Sequence, residues 1–509
     1  MKYKKSNEVA KKILEADIYP AAFVTPITKA QNVSDNLKNN VFLKREDLQP
    51  IFSFKLRGAY NKLSKISLRS SGPVIAASAG NHAQGVAFAA KQKGLKSIIV
   101  MPNTTPEIKK EAVYKLGARV ILHGDNFDEA FKYAKDLSNK RDYLFVHPYD
   151  DMDVICGQGT IGKEILDGFS DEIDYVFVPV GGGGLIAGVG SYIKTFNPKT
   201  KIIAVEPDDA DCLNMALKSN KRVSLKEVGL FADGVAVKQI GNLTYAIIKE
   251  WIDDVVTVSV DEMCAAIEDT FKETRTLPEP AGSLALAGLK KYAFSKKLRN
   301  KNLIAINSGA NLNFDRLGHI VERVQIGEGK EALLSVKIQE ERGSFRKFCK
   351  VLGKRMISEF NYRADESKEA NIFFACRFQN RSDIKTLKKH LKSKGYSSKD
   401  LSNNELAKLH IKHMVGGRAP TYISSKGENL FRVQFPEKPG ALISFLDTLG
   451  DKWNITLFHY RNQGAAYGRV LVGFEADSTR YKDLIKHLKS TGYRFWEETS
   501  NPAYKAFLE

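Results

Sequence analysis

The sequence has 509 residues, 43% of them hydrophobic and 27% charged, a balance that excludes disorder, collagen and fibre and gives chain enough for about two to four domains. Its formal net charge of +19 raises the question of an anionic partner. No run approaches the roughly eighteen uninterrupted apolar residues of a membrane span, and Met1 to Glu15 is polar and amphipathic rather than a secretory signal, so a cytoplasmic chain without a membrane partner is expected.

The first informative element is S-F-K-L-R-G-A, Ser53 to Ala59, where Lys55 opens an amphipathic helix carried by Leu56, Tyr60 and Leu63. A lysine is ordinarily a surface residue. One held at a helix start, beside Arg57 and against Phe52 and Phe54, should have its neutral amine favoured by like charge, desolvation and the positive helix end. A neutral amine is what Schiff-base formation requires.

Next, V-I-A-A-S (74 to 78), a helix over Asn81 to Lys93, S-I-I-V-M (97 to 101) and a helix over Pro106 to Leu116 alternate, as strands of a parallel sheet do with their covering helices. The turn S-A-G-N-H-A-Q-G, Ser78 to Gly85, offers backbone N–H groups to a carboxylate. Asn81 reads there as either a ligand-facing residue or a helix cap, and His82 as a packed or capping histidine rather than a catalytic base. Further on, Y-V-F-V-P-V (175 to 180) is apolar throughout, as a strand buried on both faces must be, and I-I-A-V-E (202 to 206) is similar.

The strand at 175 runs into V-G-G-G-G-L-I-A-G, Val180 to Gly188, four glycines at a helix start. Such a nest of N–H groups suits phosphate, and a purely structural turn is the competing reading. It matches neither the dinucleotide nor the nucleoside-triphosphate glycine pattern. The run N-S-G-A-N, Asn307 to Asn311, closes another apolar strand with Ser308 able to hydrogen-bond a ring nitrogen; alone it is a turn. Ligands of such α/β folds bind at the carboxyl ends of the strands, where these loops should meet.

Beyond Arg323 a short polar stretch, V-Q-I-G-E-G-K-E, reads as a linker, and the chain after it is duplicated. Gly343, Phe348, Leu352, Gly353, Phe360, Tyr362 and Arg363 recur as Gly440, Phe445, Leu449, Gly450, Phe458, Tyr460 and Arg461, and K-H-L-K-S-x-G-Y occurs at 389 to 396 and again 97 residues later. Each copy runs strand, helix, strand, strand, helix, strand, the order of a ferredoxin-like unit. The expected division is 1–322, a linker 323–331, the first copy 332–403, a connecting segment 404–428 and the second copy 429–509. Residues 330–509 hold 33 Lys/Arg against 20 Asp/Glu. Lys385, Lys388, Lys389 and Lys392 lie on a polar helix face without aromatic platforms, so a solvated basic surface is favoured over nucleic-acid binding. Cys156, Cys212, Cys264, Cys349 and Cys376 stand far apart with no C-x-x-C pair, as buried free thiols would.

Taken together, Ser53 to Ala59, Ser78 to Gly85, the tetraglycine loop, L-F-A-D-G-V-A-V-K at 230 to 238 and the duplicated end resemble the fold-type II pyridoxal 5′-phosphate enzymes over nearly the whole chain, closest to the threonine ammonia-lyase (threonine dehydratase) family in its long form. The resemblance implies an α/β catalytic part with a parallel sheet and two subdomains, followed by two ferredoxin-like, ACT-like regulatory domains. It implies that Lys55 forms the Schiff base with the cofactor, that Asn81 binds its 3′-oxygen, that Gly181, Gly182, Gly183, Gly184 and Leu185 hold its phosphate, and that Ser308 faces its pyridine nitrogen. Ser78, Ala79, Gly80 and Asn81 would bind the substrate carboxylate.

It further implies a homotetramer that converts L-threonine to 2-oxobutanoate and ammonia, with isoleucine and valine as effectors. A serine-preferring dehydratase or racemase would share every catalytic motif. Two departures stand out. The family's E-P-S-G-A is here Glu279, Pro280, Ala281, Gly282, Ser283, and Cys212 stands where relatives that bind a cation have a carboxylate, so no metal is assigned.

Overall fold

The structure, a computed structural model, describes residues 4–66, 72–328, 330–364, 369–378, 381–411, 414–417, 419–420, 423, 427–436, 440–450, 452–461 and 467–508. It divides into two compact units, Met1–Val324 and Gln325–Glu509. Among the described residues, no helix is long and apolar enough to cross a membrane.

The first unit holds two sheets. Strands β1 (Ile27–Lys29), β2 (Asn40–Arg45), β7 (Tyr175–Pro179), β8 (Lys201–Pro207), β9 (Asp254–Val258) and β10 (Asn302–Asn307) form one, in the order β1-β2-β10-β7-β8-β9. Strands β3 (Val74–Ala77), β4 (Ser97–Met101), β5 (Arg119–Leu122) and β6 (Leu144–Phe145) form the other, in the order β5-β4-β3-β6. Every pairing is parallel except β1 with β2. The continuous apolar runs are thereby explained: Val176, Phe177, Val178, Ile202, Ile203 and Ala204 have no exposed surface, because helices cover both faces of their sheet. Expected and observed elements agree within a residue or two, the helix read over 81–93 spanning Asn81–Gln92.

The stretch 323–331 is not the polar linker that its glycines and charges suggested. A helix, Leu317–Gly327, runs through it, and a strand starts at Glu331. Ile320 and Val324 of that helix are buried beside Cys264 and Ile267, an apolar spacing of four that outweighs the polar residues around it. Gly329, and residues 412–413, 418, 421–422 and 424–426 of the connecting segment, lie outside the described residues.

The second unit is a single antiparallel sheet, ordered β14-β11-β13-β12-β16-β17-β15-β18. Its strands are β11 (Glu331–Gln339), β12 (Met356–Arg363), β13 (Glu369–Arg377), β14 (Ser398–Asp400), β15 (Glu428–Pro436), β16 (Asn454–Arg461), β17 (Tyr467–Glu475) and β18 (Arg494–Glu497). Each copy contributes four, and the copies join where β12 pairs antiparallel with β16. The repeated residues are structural. Phe348, Leu352, Phe360, Phe445, Leu449 and Phe458 are at most 1% exposed and share one core. Gly343 and Gly440 precede equivalent helices at φ of 86° and 84°, a region open to glycine at little cost. His390 and His487 each bond a carbonyl of the other helix in their copy, Val351 at 3.1 Å and Thr448 at 2.8 Å. All five cysteines are buried.

Candidate active site

Parallel strands β2, β10 and β7 deliver their following loops to one edge of the large sheet, and β3 of the smaller sheet delivers Ser78 to Asn81. The loop before Lys55 is stitched to the loop after β10: Phe54 N–H donates to the Ser308 carbonyl at 3.3 Å, Ala310 N–H to the Phe52 carbonyl at 2.9 Å, and Ser53 bridges Gly309. Phe52 adopts a left-handed backbone at φ 55°, a conformation that a bulky side chain takes only when its surroundings hold it there.

Lys55 begins the helix Lys55–Ser64, and its amine donates to the Pro148 carbonyl at 2.9 Å beside the Phe54 ring. Burial brings its pKa down to about 8, with the Glu279 carboxylate pulling the other way. The like charge expected from Arg57 takes no part. Arg57 points to the far side of the helix, where its guanidinium bonds Glu46 and Glu164 and is neutralised. Lys44 joins them through Glu164 at 2.6 Å, so two buried cations face two buried carboxylates.

Asn81 is not a helix cap, since Gly80 occupies that position without a side-chain bond. Its Nδ2 donates to Glu279 Oε1 at 2.6 Å, and its Oδ1 accepts from Asn311 Nδ2 at 2.7 Å. Burial raises the Glu279 pKa to about 7, Asp233 adding to the effect and the Asn81 bond opposing it. Gly80 opens on empty space, a Cβ there meeting nothing within 4 Å, and Ser78 Oγ accepts from its N–H at 3.1 Å. His82 is a packed histidine: Nε2 lies 2.9 Å from the Val146 carbonyl, and burial depresses its pKa to about 3.

In the tetraglycine loop Gly183 has φ 89° and caps the helix Gly184–Phe196, whose first N–H groups have no preceding turn to bond. Each glycine also has a packing reason. A Cβ would lie 2.9 Å from the Val235 backbone at Gly181, 2.1 Å from the Tyr149 ring at Gly182, 2.7 Å from Ile240 at Gly183 and 3.0 Å from the Tyr149 backbone at Gly184. The loop is therefore both a nest of N–H groups and a close-packed turn; Leu185 continues it into the helix, 5% exposed.

Ser308 is buried, its hydroxyl donating to the Ala281 carbonyl at 3.2 Å. Ser283 turns away from this edge, donating to the Pro280 and Met263 carbonyls, so the swap of small residues leaves a methyl, Ala281, facing the Gly234 backbone. Glu206 and Cys212 lie below. Glu206 accepts from the N–H groups of Leu213 and Asn214, both at 2.8 Å, and burial raises its pKa to about 8. Cys212 donates to the Gly181 carbonyl at 3.4 Å, and burial pushes its thiol well above the usual range.

The segment His147 to Asp151 escaped the sequence reading. It supplies the carbonyl that accepts from Lys55, the ring that fits Gly182, and Asp150, which caps the helix Asn242–Ile248 through Leu243 N–H at 2.8 Å. An H-P-Y-D-D run directly after a strand was its only signal. In the sequence Asn311 is only part of a turn.

A buried amine poised near neutrality, an open space at Gly80 and helix-start N–H groups without a partner among the described residues suit an aldehyde-bearing phosphate ester, and the residues present fit pyridoxal 5′-phosphate. The fold and site thus define a pyridoxal-phosphate-dependent enzyme. The family model "Pyridoxal-phosphate dependent enzyme" matches residues 18–309, and "C-terminal regulatory domain of Threonine dehydratase" matches 322–411 and 421–508. The biosynthetic L-threonine dehydratase IlvA of Burkholderia multivorans is 47% identical over 507 residues, 99% of both chains. That of Escherichia coli is 48% identical over 503 residues, 98% of this chain and 97% of its own. The solved structure of processed threonine deaminase isoform 2 from Solanum lycopersicum is 46% identical with TM-score 0.61, covering 63% of this chain and 93% of its own. Serine racemase from Dictyostelium discoideum is 30% identical with TM-score 0.56, covering 60% and 99%. The chain belongs to the pyridoxal-phosphate-dependent enzyme family, in its biosynthetic threonine dehydratase branch.

Proposed function

We propose that this protein is a cytoplasmic homotetramer that dehydrates and deaminates L-threonine to 2-oxobutanoate and ammonia, the entry to isoleucine synthesis, and that isoleucine inhibits it and valine opposes the inhibition. The observation that carries the catalytic reading is the buried Lys55 amine, its pKa near 8, at the edge where the three loops meet. Pyridoxal 5′-phosphate, when bound, supplies an aldehyde for amines and a ring that accommodates the electron pair left at the substrate α-carbon.

In this reading Lys55 would anchor the cofactor and, as a neutral amine, would take the substrate's α-proton. Gly181 to Leu185 would hold the phosphate, Ser308 would face the ring nitrogen, and Asn81 would meet the 3′-oxygen. Ser78, Ala79, Gly80 and Asn81 receive the substrate carboxylate, the space at Gly80 giving it room. A serine opposite the ring nitrogen, rather than a carboxylate, would leave that nitrogen largely unprotonated and would favour elimination over transamination. The α-proton taken by Lys55 and the β-hydroxyl would together make up the water that is lost, and hydrolysis of the resulting enamine would release 2-oxobutanoate and ammonia.

The functional division at 1–322, 332–403 and 429–509 is part of the same proposal, with regulation assigned to the duplicated part. Steady-state turnover on threonine and on serine, each with and without isoleucine, tests it. Faster turnover of serine would replace the threonine reading with that of a serine dehydratase or racemase.

A further inference from the structure

The side chain of Asn311 makes two bonds with one nitrogen: Nδ2 donates to the Ile51 carbonyl at 2.8 Å and to Asn81 Oδ1 at 2.7 Å. A backbone carbonyl can only accept, and it does not titrate. It therefore fixes the Asn311 carboxamide with nitrogen toward Ile51 and toward Asn81. The oxygen of Asn81 must then face Asn311, and the nitrogen of Asn81 must face the other way, toward Glu279. The direction of donation thus runs from Asn311 through Asn81 to the Glu279 carboxylate and is anchored at a group that never changes its role.

An asparagine has two hydrogens on Nδ2. One is taken by Glu279 at 2.6 Å, and the second has no acceptor among the described residues. Asn81 belongs to the smaller sheet, following β3, whereas Glu279 and Asn311 border the large sheet. A rotation of its amide plane by half a turn would present an oxygen in place of the N–H and set two acceptors, Oδ1 and the Glu279 carboxylate, against each other.

We propose that Asn311 is a positioning residue: anchored on the Ile51 carbonyl, it decides which way round the Asn81 carboxamide stands, so that Asn81 offers an N–H and not a lone pair to the cofactor's oxygen. The inference rests on the reading of Asn81 as the residue that meets the 3′-oxygen. Glu279 completes the arrangement as the acceptor of the first hydrogen. The orientation is set before the cofactor arrives.

The test uses full-length holoenzyme and three substitutions, Asn311→Asp, Asn311→Ala and Asn81→Ala, with Asn311→Ser as the alternative should Asn311→Ala not fold. Cofactor dissociation constants and the pH titration of the visible absorption band of bound cofactor are the readouts, with thermal midpoints as the control for folding. Asn311→Asp places an acceptor opposite Asn81 Oδ1. It should raise the cofactor dissociation constant about tenfold and shift the midpoint of the band's titration, with Asn311→Ala doing the same to a smaller degree. In the Asn81→Ala background the Asn311 substitutions should change neither readout further. Additive effects in the double variants, or a parental band and affinity in Asn311→Asp, would overturn the positioning role alone. A parental band in Asn81→Ala would overturn the reading of Asn81 and the proposal with it.

Discussion

Arg57 grips Glu164 with two parallel hydrogen bonds, Nη1 to Oε1 at 2.6 Å and Nη2 to Oε2 at 2.9 Å, two residues along the helix from Lys55, with the guanidinium fully buried. The bonds tie the helix Lys55–Ser64 to the helix Met152–Gly168, while Glu46 holds the other side of the guanidinium. Glu164→Gln should leave Arg57 and Lys44 sharing one carboxylate. Breaking a buried pair from one side costs about 3–5 kcal/mol, so the thermal midpoint of the catalytic part should fall by several degrees. An unchanged midpoint would mean that water reaches the cluster.

Lys55→Ala should abolish borohydride-reducible attachment of the cofactor and nearly all turnover, since one side chain is proposed as both anchor and base. The pH dependence has a definite sign. With its pKa lowered to about 8 against an ordinary value near 10.4, Lys55 sheds its proton in the folded chain before the unfolded one does. In the cofactor-free protein its contribution to stability therefore rises with pH between about 8 and 10.4. The rate of cofactor attachment should climb through about pH 8 as the neutral amine appears, and stopped-flow absorbance would measure it.

Gly183→Asp should weaken cofactor affinity strongly, by placing a carboxylate among the N–H groups proposed for phosphate. The 89° φ and the 2.7 Å approach to Ile240 add a cost that Gly183→Ala shares, so the difference between the two variants isolates the charge. Equal affinities for both would argue against phosphate at this loop. Ser308→Ala removes the bond to the Ala281 carbonyl together with the hydroxyl proposed to face the ring nitrogen, and should keep the cofactor while changing its absorption spectrum and lowering the rate.

Ending the chain at residue 329 should leave lyase activity and remove isoleucine inhibition, provided that the catalytic part assembles alone. For inhibition at a distance, isoleucine must prefer the less active arrangement by about 1–3 kcal/mol, and threonine must weaken isoleucine binding by the same factor. Paired inhibition curves on the full and shortened proteins decide this. Sensitivity surviving the truncation would move the effector site out of the duplicated region.

The strands with continuous apolar runs were legible because burial on both faces writes itself directly into the sequence, as at Val176 to Val178. Lys55, Ser78 to Asn81, the glycine loop and Ser308 were legible as local turns at strand ends, and the structure brings their loops to one edge. What a local reading could not supply were the partners reached across the chain. Arg57 lies close to Lys55 in sequence yet opposite it on the helix, so proximity gave the wrong cause for a correct shift. Pro148 and Asn311 are distant in sequence from Lys55 and Asn81, and only the crossing of sheets brings them together. The helix through residues 323–327 was masked by its own polar face.

At the junction of β12 and β16, Asn361 sits opposite His459, its own counterpart in the repeat, with Phe360 opposite Tyr460 and Tyr362 opposite Phe458. Like thus meets like about a local two-fold axis, the arrangement by which identical subunits form a closed dimer. Here a covalent chain enforces it, so association costs no encounter between molecules and is independent of concentration. Tethering also releases the halves from identity. Each surface residue that two subunits of one gene product would have to share can differ between the copies, and a single chain can carry two unlike faces on one symmetric frame.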